Sequence, residues 1–116
     1  MAAAAAYFYK TGATLYSGDA EAHLNIARRV FDSRTPGWVQ LGTTWLPLPH
    51  LLMMPLVRNM EMWRTGLAGA IPSAICMALA GTFLFASMLR VFDDATAATA
   101  ATAVFLLNPN TLYLGS

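Results

Sequence analysis

Two long uncharged runs dominate the second half of the chain. The first, Thr65 to Leu89, reads TGLAGAIPSAICMALAGTFLFASML and is bracketed by Arg64 and Arg90. It is long enough to cross a bilayer with some tilt. Gly66, Gly69, Ala70, Ser73, Ala74 and Ala78 put small residues at helical spacing, which lets membrane helices approach closely. Pro72 predicts a kink or a first helical turn. After the polar break RVFDD, Arg90 to Asp94, the stretch Ala95 to Ser116 is again uncharged. Thr96, Thr99 and Thr102 recur every third residue, with hydroxyls able to bond back to the helix. Pro109 in NPN biases Asn108 away from helix. The pattern predicts a helix from Ala95 to about Leu107, then a kink or re-entrant turn. Together the two runs predict a transmembrane helical hairpin over 65–116.

The first half is less regular. Ala20, Leu24, Ala27 and Phe31 follow one stripe of a predicted helix, while Glu21, Asn25, Arg28, Arg29 and Asp32 follow the other. Arg28 and Asp32 form an i,i+4 pair. Such an amphipathic segment beside membrane spans predicts a helix lying in the interface. Asp32 to Trp45 reads as a loop from its Pro-Gly pair and polar residues. LPLPHLLMMPLV, Leu46 to Val57, is too short to span alone. It predicts a helix from about Pro49 to Arg58, either interfacial or the first part of a bent span, with Pro47 and Pro49 suited to a first turn. RNMEMWR then returns to water, with Trp63 at the interface level. At the start, Ala2 to Tyr9 is apolar but too short to span and has no preceding positive charge, so it is no signal peptide. It reads as the last two turns of a membrane helix begun upstream, and neither end carries a terminating signal. The expected division is 1–15 as the end of that first helix, 16–64 as an outer loop and 65–116 as the hairpin. The fold class is all-α: a polytopic helical membrane protein fragment with an interfacial amphipathic helix in its first outer loop.

Composition strengthens this reading. Residues of hydrophobic type make up 57% and charged residues 11%, against roughly a quarter charged in average soluble domains. A net charge of +1 argues against a nucleic-acid partner, which would need a basic stripe. The single cysteine, Cys76, can form no internal disulfide.

The stretch that invites chemistry is SGDAEAHLNIARR, Ser17 to Arg29. Asp19 stands where an N-cap belongs, Glu21 would be a first-turn acid, and His23 an interfacial side chain. The same two carboxylates, Asp19 and Glu21, also suit oxygen ligation of a divalent metal such as Mg or Mn. The histidine would suit a transition metal.

The order of segments resembles the GT-C superfamily of integral membrane glycosyltransferases, and more narrowly the bacterial branch related to protein O-mannosyltransferases and aminoarabinose transferases (glycosyltransferase family 39-like). The residues carrying the resemblance are GDAEAHLNIARR, WLPLPHLLMMPLV, WRTGLAGAIPSAICMALAGTFLFASMLRVF and FLLNPNTLY. They cover nearly the whole chain from about Leu15. Family members are many-span proteins, so the chain would be an N-terminal piece.

The resemblance implies an inverting transfer of a sugar from a polyprenyl-phosphate donor to a lipid, glycan or protein acceptor on the outer face of the bacterial inner membrane. It makes Asp19 the expected catalytic residue and Glu21 its partner, by orienting it or sharing a metal. A carboxylate can take the acceptor's proton as it attacks the anomeric carbon. The lipid phosphate that leaves calls for a metal or a fixed cation. Arg28, Arg29 and Arg34 are the candidates, with His50 of PLPH lining the same cavity and Gln40 and Trp45 near sugar or lipid. Three outer arginines run against the positive-inside bias, which points either to phosphate binding or to the opposite orientation. The rivals are a non-enzymatic polytopic membrane protein or transporter fragment, which would carry ionisable residues within its spans, and a soluble helical domain.

Overall fold

The computed structural model describes residues 2–41 and 45–115. Every regular element among them is helical. α1 is Ala2–Thr11, α2 Gly18–Arg29, α3 Pro47–Val57, α4 Met60–Arg64, α5 Leu67–Phe92, α6 Ala95–Leu106 and α7 Pro109–Leu114, with a 3-10 turn at Trp38–Leu41. The all-α expectation therefore holds. Among the described residues one helix, α5, is long and apolar enough to cross a membrane, while α3 and α6 are shorter apolar helices.

Local chemistry explains most boundaries and corrects some. α2 starts earlier than expected because the Ser17 carbonyl already accepts from the amides of Ala20 (3.0 Å) and Glu21 (3.4 Å). Ser17 is thus the capping residue, extended at φ −87 and ψ 129 and without a side-chain cap bond, and Asp19 lies inside the first turn. The expectation of Asp19 as N-cap is corrected. α3 begins at Pro47, because both Pro47 and Pro49 fit in a first turn where their missing N–H groups are not needed.

α5 does not stop at Leu89 but runs through Arg90 to Phe92. Arg90 in the last turn complements the helix dipole, so it continues the helix rather than breaking it. Asp93 ends α5 in the left-handed region (φ 49) and donates its N–H to the Leu89 carbonyl. Asp94 caps α6 by accepting from the amides of Thr96 and Ala97. The connection is thus two residues long and antiparallel packing follows. Thr99 and Thr102 donate back to the carbonyls of Ala95 and Ala98 as expected. Gly81 of α5 is buried against Leu106: a Cβ there would lie 2.9 Å from the Leu106 side chain. Asn108 caps α7 with Pro109 at its first position, so the predicted interruption is a break between two helices. The Ser73 hydroxyl donates to the Leu114 carbonyl (2.6 Å), bringing the end of α7 back to the first third of α5.

The small core lies at the head of α5. Leu24, Ala27, Val57 and Ala68 are buried, with Leu15, Phe31, Met53, Leu56, Met62 and Trp63 packed around them. Further along, α5 is hardly covered. Ile71, Ile75, Leu79 and Phe83 make an exposed stripe at i,i+4 spacing.

Gly66 joins the loop before α2 to the head of α5. Its φ is +80, and a Cβ would meet Leu15 Cδ2 at 3.0 Å and Thr14 Cβ at 3.1 Å. Thr14 Oγ1 donates to the adjacent Thr65 carbonyl at 2.7 Å. Gly66→Ala should therefore destabilise the fold by about 1–3 kcal/mol and lower the melting temperature in detergent. Gly12→Ala, also at positive φ but in open space, should cost less. Equal losses in the two variants would mean that the close approach at Gly66 contributes nothing.

Candidate functional site

α2 turns two different faces to two clefts. Asp19 and His23, one turn apart, line a cleft of about 330 Å³ together with Met53 of α3, Gly69 and Ser73 of α5 and Leu114 of α7. Glu21 lines a separate cleft of about 360 Å³ with Asn25, Arg29 and Trp45. Positions i and i+2 of an α-helix point about 200° apart, which separates the two carboxylates once Asp19 lies inside the helix. Asp19 and Glu21 therefore do not form the shared metal site expected from their spacing. Among the described residues no group of three histidine, cysteine, aspartate or glutamate side chains could hold a metal ion.

Asp19 is exposed. The ion pair found among the described residues joins Arg28 to Asp32, so Asp19 enters no salt bridge there. Its carboxylate faces the cleft at the positive end of α2, where a negative charge complements the helix dipole.

Beside it lies a histidine pair. His23 Nδ1 and His50 Nε2 are 2.9 Å apart, and the rings lie 4.9 Å apart between centroids. Trp45 also packs against His23, with 4.7 Å between ring centroids. His50 is fully buried, the one buried polar residue of the described structure. Burial pushes the His50 ring below the ordinary histidine pKa, the neighbouring His23 pushes it further down, and the Leu46 backbone opposes both. His50 thus touches His23, which lines the cleft with Asp19, rather than lining the cleft itself. One signal for this was legible: a lone imidazole in the apolar run PLPHLL must find a hydrogen-bond partner if it is buried. Nothing in the sequence named His23 as that partner.

The arginines take up other positions. Arg28 Nη2 and Nε both donate to Asp32 Oδ2, at 3.1 and 3.2 Å. Its guanidinium stacks 4.3 Å over Trp63, and its Nη1 reaches the Val57 carbonyl at 3.5 Å. Trp63 in turn donates from Nε1 to Asn25 Oδ1. Arg28 thus ties α2 to the end of α3 and to α4. Arg29 and Arg34 are exposed, Arg29 in the Glu21 cleft and Arg34 in the loop after α2. None of the three arginines lines the Asp19 cleft. Gln40 Nε2 donates to the carbonyl and hydroxyl of Thr35 and staples that loop.

The depressed pKa of His50 makes stability depend on pH in a stated direction. Below about pH 6.5 the unfolded chain takes up a proton that folded His50 resists. Stability should be fully present above that pH and decline as the pH falls below it. Chemical denaturation across this range should show the decline in the wild type and a flatter profile in His50→Gln. The same slope in both proteins would assign the pH dependence to other groups.

Comparison with protein-family models, with curated proteins and with solved structures finds no match for this chain.

Proposed function

We propose that the chain belongs to a polytopic membrane glycosyltransferase of GT-C type, which moves a sugar from a polyprenyl-phosphate donor to an acceptor on the outer face of a bacterial inner membrane. The observation that carries this reading is the Asp19 carboxylate, free of ion pairs, on a cleft between α2 and the first turns of α5. A donor with a lipid tail must present its phosphate and sugar where membrane meets water. A cleft between a polar helix and the head of an apolar helix suits that level.

Several features support the membrane setting. α5 has 26 residues, about 39 Å at the usual helical rise, against a hydrocarbon core of about 30 Å. Only 6% of its most apolar window is buried inside the protein, so its surface calls for lipid or further helices. α6 and α7 together return along α5, with Asn108 and Pro109 between them. The long helix carries no Asp, Glu, Lys, Arg or His between Leu67 and Leu89, unlike the conduction path of a transporter.

In the reaction, the acceptor hydroxyl attacks the anomeric carbon and gives its proton to Asp19. The bond from that carbon to the phosphate oxygen breaks, and polyprenyl phosphate leaves. Arg28 is occupied by Asp32 and Trp63, and Arg29 and Arg34, both exposed, do not line the Asp19 cleft. Glu21 faces the other cleft and takes no part in the proton transfer.

Topology follows from this reading: the Asp93–Asp94 connection lies in the cytoplasm. In a Cys76→Ser background, Asp93→Cys should resist an impermeant thiol reagent in intact cells and react after permeabilisation. Ready labelling from outside would reverse the orientation and remove Asp19 from the outer face.

Asp19→Asn tests the chemistry. The amide preserves the side chain's shape but accepts no proton. Because Asp19 is not the cap, the structural cost is the lost first-turn charge, about 0.3–1 kcal/mol. Within the full-length protein the variant should fold and insert yet lose about 10²- to 10⁴-fold in sugar transfer from a labelled polyprenyl-phosphate donor in vesicles. Near-normal transfer would reject Asp19 as the base.

A further inference from the structure

The Asp19 cleft is lined by no arginine or lysine, but an adjoining cleft is. Lys10 of α1 and Arg64 of α4 line a cleft of about 390 Å³ with Tyr9, Thr14, Leu15 and Thr65. Thr14 and Leu15 line the Asp19 cleft as well, so the two clefts meet across this segment. No aspartate or glutamate lines the cation cleft. Glu61, three residues before Arg64 on α4, makes no ion pair with it, since the ion pair among the described residues is Arg28 with Asp32.

The fold brings these two cations together from opposite ends of the polar region. Past α1, Gly12 donates to the Tyr9 carbonyl at 3.1 Å and Ala13 to the Phe8 carbonyl at 2.9 Å, which turns the chain. Thr14 Oγ1 then donates to the Thr65 carbonyl at 2.7 Å, setting the end of α1 beside the end of α4. Each cation stands in the last turn of its helix, where it complements the dipole. That role accounts for each cation separately and does not require both to share a cleft. A cleft lined by charge of one sign concentrates counter-ions. The threonine hydroxyls there are already used, because Thr65 Oγ1 donates to the Glu61 carbonyl at 2.7 Å. Positive charge is therefore what the cleft offers a ligand. Its level indicates what carries the anion. Arg64 immediately precedes the uncharged run of α5, and Tyr9, largely exposed, suits the boundary of membrane and water. Cations at that level attract the phosphates of lipids.

We propose that Lys10 and Arg64 bind the phosphate monoester of a lipid at the membrane surface. A phosphate monoester carries about −1.5 to −2 charges at neutral pH, which matches two cations. The identity of the lipid rests on the glycosyltransferase reading: it is the polyprenyl phosphate that transfer releases. As the bond from the anomeric carbon to the phosphate oxygen breaks, its electron pair stays on that oxygen. The phosphate gains one negative charge while Asp19 gains the acceptor's proton. Two cations hold that added charge more strongly than the singly charged donor, so the stabilisation grows as the bond breaks. The Arg64 fork can take two phosphate oxygens, and Lys10 adds a point charge.

The test uses the full-length protein in phosphatidylcholine nanodiscs, read by ³¹P NMR. The probes are undecaprenyl phosphate in the disc, phosphatidylserine in the disc at equal charge, and inorganic phosphate in solution. Undecaprenyl phosphate should show a saturable shift of its resonance, and the other two should not. An equal response to inorganic phosphate would mean that the site takes free phosphate and overturns the lipid assignment. An equal response to phosphatidylserine would mean attraction to surface charge alone and overturns the site.

Lys10→Gln and Arg64→Gln should each weaken undecaprenyl phosphate binding by about tenfold, as loss of a charged hydrogen bond does. Arg34→Gln, the same change of charge on a loop outside both clefts, should leave it unchanged. Lys10→Arg and Arg64→Lys keep the charge and should recover most of the binding. Binding that is unchanged in both glutamine variants, or lowered equally by Arg34→Gln, or lost in the charge-preserving variants too, overturns the proposal. Should binding depend on both cations while no sugar is transferred, the transferase reading fails and the phosphate site stands. Should the Lys10→Gln, Arg64→Gln double variant transfer sugar at the wild-type rate, this proposal fails alone.

Discussion

The close approach of α2 to α3 and to the head of α5 is what the rest of the structure depends on. It is made possible by residues that are almost all backbone. Ala27 and Ala68 are completely buried, as is Val57. A larger side chain at any of these positions would push the helices apart. A close-packed interior does not absorb such a change without strain. At the separation this core permits, an imidazole on α2 reaches an imidazole on α3 at hydrogen-bond distance. The cleft beside Asp19 exists because the same approach sets α2 against the glycines of α5.

Polar ties fix the orientation that apolar burial leaves open. Arg28 holds α2 to the end of α3 through the Val57 carbonyl and to α4 through Trp63. Thr14 holds the preceding loop to Thr65. Arg58 stacks 4.4 Å over Phe31 on the neighbouring side. Each contact joins elements far apart in sequence. The consequence is a division of labour along a single helix. The arginine one might assign to phosphate is structural, and the histidine one might assign to structure faces the cleft.

The apolar half of the molecule is simpler. α5 and α6 pack through small residues such as Gly81 and Ala98, the mode that suits helices lacking a hydrophobic driving force between them. Threonine hydroxyls are satisfied within their own helices. This half contributes length and an outward apolar surface. The polar end contributes Asp19 and His23 to the cleft, and α7 contributes Tyr113.

What the sequence determined by itself was whatever depends on neighbours along the chain. The α6 helix, the interruption at Asn108 and Pro109, the uncharged run of α5 and the Arg28–Asp32 pair all follow from spacing, caps and prolines acting over a turn or two. The separation of Asp19 from Glu21 also belongs here in principle, since two residues along a helix face different ways. It was hidden by the assignment of Asp19 as a cap, because Ser17 and Asp19 are both good capping types and only the hydrogen bonds from Ala20 and Glu21 to the Ser17 carbonyl choose between them. Arg90 was read as a break for a similar reason: a charge can end a run of apolar residues without ending a helix. What only the tertiary structure decided were the contacts between helices. His23 and His50 stand 27 residues apart, and no periodicity links α2 to α3. Their pairing is set by how closely two helices can pack, which depends on small side chains elsewhere in the chain.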